Sequence, residues 1–154
     1  MIKIERVLVP VDGSPSSKNA AQYAAHLVNA KHPQIILLHV WEPIPITIGG
    51  EEGEELRKEA QDQAMALLEE YKQMLCGLDL DIVLMARSGK PAYEILDVQE
   101  EQDCDLIVLG SRGLSVLKSV IMGSVVSRVL EEAACPVLVT RNLRAKYLVA
   151  GAVS

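Results

Sequence analysis

Residues 105–113 read Asp-Leu-Ile-Val-Leu-Gly-Ser-Arg-Gly, and after nine more residues the chain continues Gly123-Ser124-Val125-Val126. The aliphatic run Leu106 to Leu109 suits a strand covered on both faces. Gly110 ends it. Gly110 and Gly113 can take a positive φ or admit a close neighbour to the backbone, and Gly123 allows a tight turn into a helix from about Val125, capped by Ser124. A helix start carries unpaired N–H groups and a partial positive charge, which favours an anion by about 0.3–1 kcal/mol. The backbone N–H groups of Gly123, Ser124, Val125 and Val126, the Ser124 hydroxyl and the charge of Arg112 therefore form a candidate oligophosphate site. Glycines also flank strand-to-helix loops in α/β domains without ligands, so a purely structural role is the competing reading.

The same alternation extends outward in both directions. Arg6 to Val11 is a β-branched run ending in Asp12-Gly13-Ser14-Pro15, where Ser14 can cap a helix and Pro15 suits its first turn. That helix runs to about Ala30 with Ala20, Ala24, Leu27 and Val28 on one stripe. Gln34 to Val40 is a second strand, Trp41 to Gly50 a loop, and Glu51 to about Leu75 an amphipathic helix. Asp81 to Ala86 is a third strand, Ala92 to Glu101 a third helix, Val125 to Ala134 a fourth helix and Val137 to Thr140 a fifth strand. Five strands alternating with four helices predict an α/β fold, an open parallel sheet with helices on both faces. Ligands of such sheets sit at the carboxyl ends of the strands, where the strand order reverses.

Composition narrows the function classes. The 154 residues suit one domain. Hydrophobic residues make up 49% while Phe is absent and aromatics are 3%, so the core is built from Val, Leu, Ile and Ala. A net charge of -6 repels polyanions and argues against nucleic acid as a partner. Charged residues at the start, Lys3, Glu5 and Arg6, and the lack of an apolar run of membrane length predict no membrane association and a cytoplasmic protein. Cys76, Cys104 and Cys135 lack zinc-site spacing and read as reduced, mostly buried thiols. His26, His32 and His39 form no ligand pair, and His39, inside an apolar strand, reads as a satisfied core residue. No Gly-x4-Gly-Lys-Ser/Thr loop and no Gly-x-Gly-x-x-Gly fingerprint occurs. A phosphorelay receiver would need an acceptor Asp where Met85-Ala86-Arg87 stands.

Gly-x2-Gly-x9-Gly-Ser after a hydrophobic strand resembles the ATP-binding signature of universal stress proteins. Val9-Pro10-Val11-Asp12-Gly13-Ser14 is similar to that family's opening strand, Asp105 to Gly110 to its fourth, and Cys135-Pro136-Val137-Leu138-Val139 to its closing strand. The resemblance covers nearly the whole chain, giving a domain over 1–141 and a tail over 142–154. It implies a Rossmann-like fold of the adenine nucleotide alpha hydrolase type with strand order 3-2-1-4-5. That order sets the first and fourth strands side by side, where both motifs would share one crevice. The resemblance further implies that Pro10, Val11 and Asp12 border a nucleotide, that Val40 offers main-chain contacts to adenine, and that Gly110, Gly113, Gly123 and Ser124 hold ribose and phosphates.

Asp12 beside phosphates has two readings, a carboxylate facing an ATP-bound Mg2+ and a cap of the turn toward Ser14 and Ser16. No dedicated metal site is expected. Val137, Leu138 and Val139 form an apolar edge strand that needs a cover, and the resemblance implies a homodimer through it. No local nucleophile signature is present, so no enzyme is expected. The resulting reading is an ATP-binding stress-response or signalling module, against a nucleotide-free dimeric interaction protein and a slow ATP hydrolase. Trp41, next to Val40, is expected to report ATP binding by its fluorescence.

Overall fold

The computed structural model describes residues 3–28, 31–111 and 123–141. The elements follow in the order β1 (Arg6–Pro10), α1 (Pro15–Leu27), β2 (Gln34–Trp41), α2 (Gly50–Met74), β3 (Asp81–Ser88), α3 (Pro91–Glu101), β4 (Leu106–Gly110), α4 (Ser124–Glu132) and β5 (Val137–Thr140). The strands form one parallel sheet in the order β3-β2-β1-β4-β5. The reversal falls between β1 and β4, as expected from the sequence.

Strand periodicity of two divides the core into two layers. Val7, Val9, Ile35, Leu37, Leu106 and Val108 point to the face covered by α1 and α2, where they meet Ala20, Ala21, Ala24, Leu68, Tyr71 and Leu75. Leu8, Ile36, Leu38, Ile107 and Leu109 point to the other face and meet Ile95 and Val98 of α3 and Val126 and Val129 of α4. Helix α1 contributes alanines to its contact, so its backbone lies close to the sheet. That closeness governs the site below.

Several boundaries differ from the sequence expectation, each for a local reason. Helix α1 ends at Leu27 because Val28 is already extended, with φ -87 and ψ 113. Strand β2 includes Trp41 because its partner β3 continues through Arg87 and Ser88, which pair with Val40 and Trp41. Arg87 is held there by Glu94 (3.7 Å) and by both carboxylate oxygens of Glu101 from α3. The Glu101 carboxylate raises the guanidinium pKa of Arg87, and that guanidinium lowers the carboxyl pKa of Glu101. Helix α4 starts one residue early: Gly123 occupies the N-cap and Ser124 is the first helical residue, so Ser124 is not the cap.

Cys76 is exposed, contrary to expectation, because it lies just past the inward-facing Leu75 at the end of α2. Cys104 is buried and Cys135 half-buried, and all three are free thiols. No helix among the described residues is long and apolar enough to cross a membrane.

Candidate functional site

Strand β1 ends where the chain must turn sharply into α1, and Asp12-Gly13 makes that turn. Gly13 adopts φ +84, a left-handed conformation that side chains disfavour. Asp12 Oδ1 accepts a hydrogen bond from Ser14 N at 2.9 Å, the self-bonding typical of Asp in turns. The cap reading of Asp12 is thus realised toward Ser14. Ser14 in turn caps α1, its side chain accepting from Ser17 N at 3.1 Å.

Beneath this turn lies a hydroxyl network absent from the sequence reading. Tyr71 of α2 is 1% exposed, and its hydroxyl accepts from Gly13 N at 3.1 Å. The same hydroxyl lies 2.5 Å from Ser17 Oγ. Ser17 Oγ donates to Ser14 O at 3.1 Å, so its single proton is committed and Tyr71 is the donor to Ser17. Asp12 N completes the set by donating to Ser17 Oγ at 3.4 Å. Burial, ahead of the carboxylates of Asp12 and Glu70, raises the Tyr71 pKa. The phenol therefore stays protonated and serves as a fixed donor and acceptor.

Across the reversal, Gly110 ends β4 against α1. A Cβ there would lie 2.5 Å from Ser16 Oγ and 2.6–2.7 Å from the Ser16 carbonyl group. Glycine is required at this position by the approach of α1, a reason other than the positive φ or close ligand considered from sequence. Beyond it, Gly123 N donates to Ser111 O at 3.3 Å, tying the start of α4 to the end of β4. Gly123 has φ -73 and ψ 161 and, as the N-cap residue, brings no side chain to cap α4. Among the described residues no side chain accepts from the first N–H groups of α4.

These elements enclose a cavity of about 210 Å³ at the carboxyl ends of β1 and β4. Pro10, Val11, Asp12, Val40, Gly110, Gly123, Ser124, Val125 and Val126 all line it. Arg112 and Gly113 lie outside the described residues. Ser17, Leu38, Leu109, Pro91 and Ile95 also line the cavity and were not expected. Leu38 and Leu109 share strand parity with Val40 and Ile107, a signal that could have assigned them to this face. Pro91 and Ile95 enter because α3 covers that face, which requires the crossover positions to be known.

Val40 has main-chain groups suited to a ligand. Leu38 O accepts from Val11 N at 2.8 Å, so Leu38 directs its polar groups toward β1. By strand alternation Val40, two residues on, directs its own N–H and C=O to that side. The β1 register ends at the Pro10–Leu38 pair, so these groups face the crevice past the end of β1. Trp41, one residue further, points to the opposite face, where its Nε1 donates to Gln61 Oε1 at 3.1 Å. Trp41 is not among the residues that line the cavity. His39 is satisfied as expected, with Nδ1 2.7 Å from Val11 O. Among the described residues no cluster of three or more His, Cys, Asp or Glu side chains is positioned to hold a metal ion.

An open parallel α/β sheet with a crevice at its switch point, walled by aliphatic side chains and floored by a helix start, defines a Rossmann-like α/β fold. Residues 3–141 match the universal stress protein family, and the chain belongs to that family. It is 32% identical over 145 residues to the universal stress protein YxiE of Bacillus subtilis, covering 88% of this chain and 98% of the relative. A universal stress protein of Thermus aquaticus is 34% identical over 135 residues, covering 88% and 97%. The structure is similar to that of MJ0577 from Methanocaldococcus jannaschii, with TM-score 0.84 and 27% identity over 94% of this chain and all of that one. Two more distant structures share the fold. One is a universal stress protein in complex with cAMP, with TM-score 0.70 and 23% identity, covering 91% of this chain and 98% of the other. The second is an Arabidopsis thaliana family protein with AMP bound, with TM-score 0.66 and 23% identity, covering 96% and 97%.

Proposed function

We propose that this protein binds an adenine nucleotide, ATP carried with Mg2+, in the switch-point cavity and acts as a nucleotide-dependent signalling or stress-response module. The observation that carries this reading is the meeting, in one cavity, of an aliphatic slot and a helix start whose N-cap residue is a glycine. Val11, Leu38, Val40, Ile95 and Leu109 offer apolar walls for a purine, and Val40 offers main-chain groups to its edge. The N–H groups of Ser124, Val125 and Val126 are the donors for phosphate. The residues present fit ATP, and Mg2+ would travel with the phosphates, since it is usually held by them and by water with one or two carboxylates. Asp12 is the carboxylate in the lining. The AMP and cAMP complexes of distant family members support adenine nucleotide as the ligand class.

The reading is of a binder and not an enzyme, with the bound nucleotide altering the surface shown to a protein partner. It includes a homodimer through β5, an edge strand of the sheet whose Val137, Leu138 and Val139 are half-buried. The test is mass spectrometry of nucleotide released from freshly purified protein, paired with the G123V variant. The backbone angles of Gly123 accept a side chain, so G123V should fold, fill the cavity and lose the nucleotide. Retention of bound nucleotide by G123V would place the ligand elsewhere.

A further inference from the structure

One apolar side chain stands outside both core layers. Ile46, in the loop between β2 and α2, is 94% exposed, whereas the other exposed large hydrophobic residues among those described, Ile4, Leu27, Tyr93 and Leu130, reach at most 43%. Its neighbours hold it there. Ile44 and Ile48 are half-buried, Pro43 and Pro45 fix their own φ angles, and Ile48 N donates to Pro45 O at 3.0 Å to close the turn around Ile46. The Ile48 carbonyl leaves no room for a Cβ at Gly53, so the first turn of α2 presses on the end of the loop. Ile46 is thus presented by a shaped turn, which lowers the ordering cost of a contact made through it.

The helix that follows the tip is acidic. Helix α2 carries eight Asp and Glu residues against Arg57, Lys58 and Lys72, a net charge of -5 out of -6 for the whole chain. All eight carboxylates are exposed, and among the described residues none of them has an ion-pair partner. Glu51 and Glu52 lie in the first turn, where they suit the helix dipole. The others extend as far as Glu70, beyond its reach. Glu52, Glu55, Glu59 and Asp62, spaced three and four apart, form one stripe that begins soon after the loop. Like charges at that spacing repel and cost stability, and an arriving cationic surface relieves the repulsion.

We propose that the Ile46 tip and the acidic stripe of α2 form one docking surface for a basic amphipathic segment of a partner protein, whose apolar residues cover Ile46 and whose Lys or Arg residues lie along the stripe. Charge disfavours the other occupants. A second copy joined through this surface by a two-fold axis would set acidic stripe against acidic stripe, and an anionic membrane leaflet or a nucleic acid would be repelled. The surface goes beyond the nucleotide reading above and does not depend on it.

The experiment is fluorescence anisotropy of a labelled amphipathic Leu/Lys peptide titrated with the full chain, as wild type, I46S and E52Q/E55Q/E59Q. All four positions are exposed, so both variants should fold, which their thermal midpoints check. The expected result at low salt is binding by the wild type, weakened at least about fivefold in I46S by loss of apolar cover. In E52Q/E55Q/E59Q it should weaken about fivefold by loss of three partly screened charges, with a flatter salt dependence. A Lys/Ser peptide of equal charge should bind more weakly and not distinguish I46S from the wild type. Absence of peptide binding by the wild type, or wild-type affinity in either variant, overturns the proposal. So does an I46S monomer where the wild type sediments as a dimer, which assigns the tip to a second copy, and so does cosedimentation with phosphatidylserine vesicles that I46S loses, which assigns it to a membrane. Titration with ATP and Mg2+ should not distinguish the three proteins, and a wild type that binds the peptide but no adenine nucleotide overturns the nucleotide reading alone.

Discussion

Replacing Tyr71 with phenylalanine removes one oxygen atom from beneath the β1–α1 turn and leaves the ring packing nearly unchanged. Two groups lose a partner. Gly13 N–H is half-buried, so water can replace part of its 3.1 Å bond to the phenol. Ser17 Oγ is enclosed but keeps Asp12 N as donor and Ser14 O as acceptor. With a full unsatisfied group costing about 1–3 kcal/mol and both losses cushioned, Y71F should cost about 1–2 kcal/mol. For a domain of this size that lowers the thermal midpoint by about 2–8 °C. The effect should be coupled to Ser17, because the two hydroxyls share one hydrogen bond. In a double-mutant cycle on nucleotide-free protein, S17A and Y71F together should cost less than their sum by at least about 0.5 kcal/mol. Ser17 and Asp12 line the cavity, so Y71F should also weaken adenine nucleotide binding several-fold. A Y71F protein with wild-type midpoint, strict additivity with S17A and unaltered affinity would refute the idea that α2 sets the turn.

Other consequences can be checked separately. Gly110→Ala places a methyl group against the Ser16 backbone and should cost about 1–3 kcal/mol by overpacking, read as a lower urea midpoint; an unchanged midpoint would mean that α1 yields freely. Burial, ahead of nearby charge, pushes the Cys104 thiol up to about 11 and also raises Cys135. The unfolded chain ionises first, so stability is undiminished below the ordinary thiol range and falls as pH rises toward 11. Cys104→Ala should flatten that alkaline loss in thermal melts. At neutral pH a thiol reagent should modify Cys76 at once and Cys104 only on unfolding. Leu138→Asp on the β5 edge should convert a sedimenting dimer to monomer, whereas a wild-type monomer at micromolar concentration would remove the proposed interface.

Most of the architecture was legible because parallel strands buried on both faces leave continuous aliphatic runs, and Leu106 to Leu109 and Gln34 to Val40 are such runs. The end of β3 was not, since Arg87 breaks the apolar pattern while still pairing with Val40. Within the site, the residues flanking the glycines do gather around one cavity. The reason for Gly110 was legible only in three dimensions, because nothing local indicates that α1 presses on it. Tyr71 was hidden for a related reason. On a helical stripe with Leu67 and Leu75 its ring reads as core, and only the position of the Asp12-Gly13 turn above it shows what its hydroxyl does. Trp41 illustrates the converse: adjacency to Val40 in sequence suggested a reporter, but strand alternation sends the two side chains to opposite faces. Thermal stability is therefore the better readout of binding.

The central claim is that the crevice between the ends of β1 and β4 receives an adenine nucleotide. Calorimetric titration of nucleotide-free protein with ATP and Mg2+ tests it most directly, with a thermal melt at saturation as the linked readout. The account predicts one site per chain and a raised midpoint, both lost in G123V. No heat and no stabilisation with ATP, AMP or cAMP would contradict it.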